Sequence, residues 1–338
     1  MGKNDRSIYR GWQNKTSFSV KIIIVLLVLI ILTLTALLFK DRIAKMLEPD
    51  VTYPDTSLSG TGEVREKSTR PSDTEEAGPV KIKLKMLGAP AFESDRGPLI
   101  VVNSSTAYNF KSGDKDQLTD LYEADHKSFS LATISESLLP EAYAALYKMT
   151  DKYADMFGYC PIMVSASYRD YDGQAEYYNS HVTSDEKKDY FEQPGYSDHH
   201  TGYAFDIRLF DKNGNTYSYV TNQDMVEWIV EHYKDYGFII RYPANKKAVT
   251  GIDGEGNHFR YVGIPHSVYM TDKRLCLEEY VAMIQKHDKD DPFEYEYNGV
   301  EYLIWYCDSE DGFIYVPTDL EYTISGDNIG GFIVTAVK

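Results

Sequence analysis

The amino-acid sequence predicts an α+β fold, preceded by one membrane-spanning helix and followed by a small β appendage. In the middle of the chain, helical and strand patterns are mixed without strict alternation, which disfavours a doubly wound parallel sheet. An uncharged apolar run lies near the N-terminus, and a hairpin pattern follows Pro292. At 338 residues, the chain has room for one large domain and such appendages.

The composition excludes several classes of protein. The formal net charge is −17, so the chain lacks the excess of cations that a sequence-independent nucleic-acid-binding protein needs. Its 43% hydrophobic and 26% charged residues are ordinary for a globular protein and argue against a disordered chain. The cysteines Cys160, Cys276 and Cys307 have no paired short spacing, which argues against a disulfide scaffold and a thiolate zinc site. Any metal ligands should therefore be nitrogen and oxygen atoms.

Residues 22–39 form an uncharged apolar run of eighteen residues, just long enough to cross a hydrocarbon core of roughly 30 Å. Five Lys and Arg residues and one Asp precede this run, so the positive-inside rule predicts a cytoplasmic tail at residues 1–21 and an extracellular location for the rest. A cleaved signal peptide is the alternative, but no small-x-small cleavage pattern follows the run. Residues 40–79 are rich in Pro, Gly, Ser, Thr and acidic residues, which predicts a flexible linker.

From about Val80 the pattern becomes that of a globular domain, predicted over residues 80–290. A short branched apolar run at residues 99–102 predicts a strand, and apolar residues at helical spacing predict a helix over 140–156. In chain order, the patterns then predict a strand at 162–164, a helix at 173–179, a strand at 204–209, a helix at 224–236, strands at 238–241 and 259–262, and a last helix at 272–286.

Residues 291–338 predict a small C-terminal β subdomain. The pair Asn298-Gly299 between two aromatic runs is typical of a tight hairpin turn, because both residues tolerate positive φ. A two-residue turn would place Glu296 opposite Glu301, and like charges at paired positions are unfavourable. This repulsion favours a longer loop.

Three segments carry the residues that could do chemistry: Ser165–Gln174, Tyr196–Asp206 and Gly254–Gly263. The candidates in the second and third segments are Asp198, His199, His200, Asp206, Glu255 and His258. Two histidines and one carboxylate from separate segments suit an open zinc site, and a further carboxylate nearby could accept a proton from water. Loop His and Asp residues more often cap turns, so the spacing alone leaves both interpretations open.

The pattern S-x-H-x6-D, preceded by S-Y-R-x4-Q and followed by E-x-x-H, resembles that of the VanY-type D-alanyl-D-alanine carboxypeptidases. These are zinc peptidases related in fold to the D,D-dipeptidase VanX and to the Hedgehog signalling domain. The resemblance covers about residues 99–284 and implies a mixed zinc-peptidase domain with a central antiparallel sheet. It also implies that Zn²⁺ is bound by His199, Asp206 and His258. The family spacing selects His199 rather than His200.

The same resemblance assigns roles to four further residues. It implies that Glu255 is the general base and that Arg169 stabilises the oxyanion. Ser197 and Gln174 match motif positions that line or buttress the cleft, and we expect them to bind substrate. The implied substrate is a peptidoglycan stem peptide ending in D-Ala-D-Ala, from which the terminal D-Ala is removed at the outer face of a bacterium.

One departure from the family pattern affects substrate recognition. Gly256-Asn257 stands where family members usually carry Pro-Trp or another residue followed by Trp. The ligand and the base are kept, but the aromatic residue is lost. Two alternatives to the carboxypeptidase therefore remain open: a peptidoglycan endopeptidase with the same zinc site, and a catalytically inactive cell-wall-binding descendant.

Overall fold

A computed structural model of the protein describes residues 82–183, 191–210 and 223–338. The predicted cytoplasmic tail, membrane span and linker lie outside the described residues. Among the helices that are described, none has the length and apolarity that crossing a bilayer requires. The described residues belong to one compact unit, which begins at Ala77.

The described part of the chain is a mixture of helices and strands. The strands are β1 (Leu84–Gly88), β2 (Thr119–Asp120), β3 (Ser130–Leu131), β4 (Ser137–Leu138), β5 (Ile162–Ala166), β6 (Ala204–Leu209), β7 (Phe238–Tyr242), β8 (Glu255–Tyr261), β9 (Phe293–Tyr297), β10 (Val300–Asp308), β11 (Phe313–Pro317), β12 (Glu321–Gly326) and β13 (Gly331–Val337). The α-helices are α1 (Pro140–Phe157), α2 (Tyr171–His181), α3 (Gln223–His232), α4 (Lys247–Thr250), α5 (His266–Lys273) and α6 (Leu277–Ile284).

A five-stranded sheet in the order β3-β5-β6-β8-β7 forms the centre of the peptidase-like region. The pairs β5–β6, β6–β8 and β7–β8 are antiparallel, whereas β3 and β5 are parallel. The central sheet is therefore mixed rather than wholly antiparallel as predicted. The difference arises at β3, whose two residues are too few to give a periodic signal in the sequence.

One face of this central sheet packs against α1 and α3. Phe205, Ile207 and Phe259 belong to a buried apolar cluster that also contains Leu146 of α1 and Trp228 of α3. Because successive side chains of a strand point to opposite faces, the residues between them in β6 and β8 project from the other face. The predicted metal ligands of the two strands lie on that second face.

The strand predicted at residues 99–102 is not present. The segment is buried, but its carbonyl groups are bound by side chains instead of a neighbouring strand. Arg260 donates hydrogen bonds to the carbonyl oxygens of Pro98 and Ile100, each at 3.0 Å. A buried backbone must satisfy its polar groups, and here a guanidinium group does so.

The last predicted helix, at residues 272–286, is also wrong, because the chain breaks it into α5 and α6. Arg274 adopts a left-handed conformation with φ of 55° and ends α5. The backbone N–H of Cys276 then donates to the carboxylate of Glu279 at 3.0 Å, which forms a capping box at the start of α6. A capping box usually carries Ser or Thr at the first position, so the cysteine concealed this helix start.

The C-terminal residues form a four-stranded sheet in the order β12-β13-β10-β9, and β11 pairs with β1. The predicted hairpin is present as β9 and β10. Its turn has two residues, Asn298 with φ of 52° and Gly299 with φ of 77°, so the expectation of a longer loop is wrong. Glu296 does lie opposite Glu301, but Lys338 approaches the Glu301 carboxylate to 2.6 Å and offsets the repulsion.

The C-terminal sheet shares a hydrophobic core with the central region. Ile304 of β10 and Ile333 of β13 pack in one buried cluster with Leu99, Ile239 of β7 and Tyr280 of α6. Burial of several large apolar side chains in one cluster couples the stability of the two sheets. The division at residues 290 and 291 stays a prediction.

Candidate metal centre

Three side chains from separate parts of the sequence meet on the second face of the central sheet. These are His199, Asp206 and His258, the set implied by the family resemblance, and one donor atom from each lies within 4.8 Å of the others. The Nε2 atom of His199 is 3.5 Å from Oδ2 of Asp206, and Nδ1 of His258 is 3.0 Å from Oδ1 of Asp206. Both histidines are 1% exposed.

Local structure explains why these side chains meet. Asp206 in β6 and His258 in β8 are direct partners in the antiparallel ladder, so their side chains lie side by side on one face. His199 belongs to a short 3-10 turn, Asp198–Thr201, which precedes β6. The hydroxyl of Ser197 accepts a hydrogen bond from the backbone N–H of His199 at 3.3 Å and thereby caps this turn.

Hydrogen bonds distinguish the two adjacent histidines. The Nδ1 atom of His199 donates to the carbonyl of Ser167 at 2.8 Å, which leaves the Nε2 lone pair directed at Asp206. In His200, Nδ1 donates to the carbonyl of Arg169 at 2.6 Å and Nε2 accepts from the backbone N–H of Gly195 at 3.0 Å. Both nitrogens of His200 are therefore engaged in structural hydrogen bonds, and only His199 is available as a ligand.

The donor set fits zinc. Two imidazole nitrogens and one carboxylate oxygen form a typical three-ligand catalytic zinc site with one open position. Oδ1 of Asp206 is buried and makes no hydrogen bond to any described residue, although such an atom normally has a partner. A cation held by the three side chains would supply that partner.

The charge state of the group also suits a dication. Burial alone would raise the pKa of the Asp206 carboxyl, but the neighbouring His199 and His258 hold it well below its usual range. Burial alone would lower the pKa of His258, but Asp206 and Asp198 raise it to about 10. Metal binding requires the neutral imidazole, so a bound Zn²⁺ would replace the imidazole proton as the positive charge beside Asp206.

Glu255 lies at the edge of this group, at the start of β8. Its Oε2 atom is 3.7 Å from Nδ1 of His258, and its side chain is half-buried. Burial raises the pKa of Glu255 to about 7 despite the nearby His258 charge, which is the range that a general base needs at neutral pH. The preceding Gly254 permits this placement, because a Cβ there would lie 2.4 Å from the Cα of Ala244.

Arg169 is held from two sides at the start of α2. Its Nε atom donates to Oε1 of Gln174 at 2.7 Å, and its guanidinium group stacks on the ring of Tyr177 at 4.3 Å. The Nη atoms make no hydrogen bond to any residue in the described part of the chain. The positive charge of Arg169 partly opposes the rise in the pKa of Glu255 that burial causes.

Ser197 and Gln174, the two predicted substrate-binding residues, are fully buried. The hydroxyl of Ser197 donates to the carboxylate of Glu192 at 2.8 Å. The amide of Gln174 donates to the carbonyl of Glu192 at 2.7 Å, while its oxygen holds Arg169. This geometry favours a positioning role for both residues, and their contact with substrate stays a prediction.

Glu192, which no sequence motif indicated, lies beneath the site and is 9% exposed. Its carboxylate accepts hydrogen bonds from the backbone N–H of Asp198 at 3.0 Å and from the hydroxyls of Ser197 and Tyr242. Burial alone would raise the pKa of the Glu192 carboxyl. The opposing effect of His258 and His199 is larger, so this pKa lies below its usual value. No spacing rule marks Glu192, because Tyr242 is 50 positions away in the sequence.

Gly256 and Asn257, the departure from the family pattern, lie in β8 between the base and the ligand. Both are exposed and border a largely apolar pocket that includes Ile207 and Ile229, on the face that packs against α1 and α3. Because Gly256 has no side chain, β8 presents none at the position next to Glu255. The positions of Glu255 and His258 on the second face are retained.

Comparison with known proteins finds a family match. Residues 135–264 match the model of the VanY family, described as D-alanyl-D-alanine carboxypeptidase. A D-alanyl-D-alanine carboxypeptidase of Enterococcus faecium is 36% identical over 179 residues, which are 53% of this chain and 54% of that protein. The bifunctional D-Ala-D-Ala dipeptidase and D-Ala-D-Ala carboxypeptidase VanXYC of Enterococcus gallinarum is 37% identical over 95 residues, 28% of this chain and 50% of that protein.

The chain spans about half the length of these curated relatives. A crystal structure of the vancomycin resistance D,D-dipeptidase VanXYg, in complex with a D-Ala-D-Ala phosphinate analogue, matches with a TM-score of 0.64 and 27% identity. That match covers 76% of this chain and 100% of the other. The matched family region contains the three predicted metal ligands, Glu255 and Arg169. Residues 135–264 of this chain therefore match the VanY family, and the relatives and the solved structure support a zinc D,D-peptidase of the VanY type.

Proposed function

We propose that this protein is a zinc D,D-carboxypeptidase that removes the terminal D-Ala from peptidoglycan stem peptides ending in D-Ala-D-Ala. The observation that carries this proposal is the three-ligand group of His199, Asp206 and His258, with Glu255 and Arg169 beside it. The names of the relatives support the same activity and substrate class. The proposal is limited to this reaction because the relatives are matched over only about half their length.

Each side chain has a role that its chemistry allows. Zinc, when bound, supplies a Lewis acid that polarises a carbonyl group and makes water more acidic. Glu255 accepts a proton from water and passes it to the departing amine, for which a pKa of about 7 is suited. Arg169 directs its Nη donors towards the charge that develops on the carbonyl oxygen. Gln174 and Tyr177 keep the guanidinium group in place.

Product analysis tests the proposal. The purified full-length protein, solubilised in detergent and loaded with zinc, is incubated with a stem pentapeptide ending in D-Ala-D-Ala, and the products are identified by mass spectrometry. We expect the loss of one alanine, and no cleavage of the matched peptide ending in D-Ala-L-Ala. Cleavage inside the stem would instead identify an endopeptidase, and an intact peptide would identify a binding protein.

We further propose that residues 22–39 anchor the protein in the bacterial cell membrane, with the N-terminus in the cytoplasm and the peptidase domain outside. The apolar run and the preceding positive charges support this topology. Protease added to intact cells should remove the domain by cutting within residues 40–79 and leave a membrane-bound stub. A mature N-terminus near residue 40 in the culture medium would contradict the anchor.

A further inference from the structure

We propose that Asp198 is a positioning residue for the metal centre: its carboxylate orients the imidazole of His258, and two buried arginines hold that carboxylate in place. The inference rests on the assignment of His258 as a zinc ligand in the proposed function. Asp198 itself is not among the predicted ligands, and its side chain is fully buried behind them.

The two nitrogens of His258 face different partners. Nδ1 points to the metal group, 3.0 Å from Asp206 and 3.7 Å from Glu255. The proton of the neutral ring must then lie on Nε2, which is 3.5 Å from Oδ2 of Asp198. Both Nε2 of His258 and Oδ2 of Asp198 are buried and have no other hydrogen-bond partner in the described part of the chain. Each atom is thus the available partner of the other.

The two oxygens of Asp198 are divided between different tasks. Oδ1 accepts from Nη1 of Arg260 and lies 3.4 Å from Nε of Arg241, so both arginines use the same oxygen. Oδ2 is left to the imidazole. Arginine–carboxylate pairs are frequently bidentate, but here neither arginine donates a hydrogen bond to Oδ2. The division favours a second task, which is to fix the ring and tautomer of His258.

The Asp198 side chain has little freedom to move. Its backbone N–H is bound to Glu192 at 3.0 Å, and both guanidinium groups are fully buried. Arg241 makes a bidentate contact with Glu278, at 3.0 and 2.7 Å, and Arg260 binds the carbonyls of Pro98 and Ile100. The two arginines are thus balanced by two carboxylates, those of Asp198 and Glu278. Charged groups are costly to bury unless they are paired in this way.

A charge-balanced pair of double variants tests the inference. Asp198→Asn alone would leave a buried arginine uncompensated and could unfold the protein. The double variant Asp198→Asn/Arg260→Gln removes one charge of each sign. Its matched control, Glu278→Gln/Arg260→Gln, removes the same charges from the same cluster but keeps the carboxylate that faces His258. Zinc affinity of the full-length proteins is measured by competition with a chromophoric chelator, and their stability by thermal unfolding.

We expect the Asp198→Asn/Arg260→Gln protein to bind zinc roughly tenfold to a hundredfold more weakly than the matched control, at similar stability. Equal affinity in the two double variants would overturn the inference, whether both match the unmodified protein or both are weakened. His258→Ala serves as a separate check, because undiminished zinc binding there would refute the ligand set itself. Failure of the proposed reaction is seen independently, in the product analysis of the unmodified protein.

Discussion

The metal centre and the C-terminal sheet are both buried, but they are held together by different forces. Behind the metal centre, Asp198, Arg241 and Arg260 are fully buried and form ion pairs. In the C-terminal sheet, Trp305 and Val334 are equally buried in an apolar cluster. Burying charge has a large desolvation penalty that pairing only offsets, whereas burying apolar surface is directly favourable. The C-terminal sheet therefore supplies stability, and the charged region uses part of it to hold functional groups in place.

The largest expected effect is on turnover, from a substitution of the general base beside the metal centre. Glu255→Gln removes the proton acceptor but no ligand, so turnover of the stem pentapeptide should fall by roughly 10²- to 10⁴-fold. Zinc content and the thermal unfolding midpoint should stay unchanged. Steady-state kinetics and elemental analysis on one preparation measure both. Turnover equal to that of the unmodified protein would show that Glu255 is not the base.

A substitution in the C-terminal sheet should have the opposite result, which is a loss of stability without a loss of turnover. Trp305→Ala should reduce the free energy of unfolding by about 3–5 kcal/mol, because it empties a fully buried site and removes the indole hydrogen bond to the Tyr315 carbonyl. The turnover of the remaining folded protein should be unaffected. Urea denaturation measures the change. Phe313→Ala is the control, since that side chain is 45% exposed and its loss should change stability by less than about 0.5 kcal/mol.

A pH-dependent prediction concerns His266, which lies between α6 and the C-terminal sheet. Its ring contacts the hydroxyls of Tyr280, at 2.6 Å, and of Thr335 in β13, at 3.2 Å. Burial lowers the pKa of His266 to about 3, below its value of about 6.5 in an unfolded chain. Below pH 6.5 the unfolded state binds the extra proton, so the contribution of His266 is complete above that pH and decreases towards pH 3.

At pH 5 the loss from this histidine should be on the order of 2 kcal/mol relative to pH 7. Urea denaturation at several pH values measures the slope, and His266→Gln should make it shallower. His287→Gln is the matched control, because the His287 ring donates an exposed hydrogen bond to the Asp291 carbonyl and contacts Phe293. If the slope is the same in all three proteins, His266 is protonated in the folded state and the prediction fails.

The smallest expected effect concerns the ring beneath Arg169. Tyr177→Leu removes the aromatic face on which the guanidinium group stacks, a contact of about 1 kcal/mol, so kcat should fall about threefold to tenfold. Tyr177→Phe keeps the ring and should retain kcat. The kinetic constants of both variants provide the measurement. An equal loss in the two would assign the effect to the tyrosine hydroxyl and contradict stacking.

The part of the site that sequence can predict is the part that lies in short local patterns. His199, Asp206, Glu255 and His258 stand at fixed spacings within two segments, and the structure brings their side chains together. Glu192 could not be found in this way, because it stands in none of these motifs and its contact with Tyr242 spans 50 positions of the sequence.

Secondary structure, too, can be predicted from the sequence only where local patterns determine it. The periodic helix α1 and the Asn-Gly hairpin are present close to where the sequence places them. Residues 99–102 have the composition of a strand, but Arg260 binds their carbonyls and no ladder forms. Tertiary partners determined that conformation, and periodicity carries no information about them.

The hydrogen bonds that hold residues 98–102 also bear on the order in which parts of the protein fold. The backbone N–H of Leu99 donates to the hydroxyl of Ser325, 226 positions later, and Arg260 reaches the Ile100 carbonyl across 160 positions. Closing loops of this length is entropically unfavourable and slow, and it requires that both ends of the loop exist. We expect the buried charges behind the metal centre to become enclosed only after β12 has been synthesised. Completion of the chain, rather than the supply of zinc, should then decide when the metal centre matures.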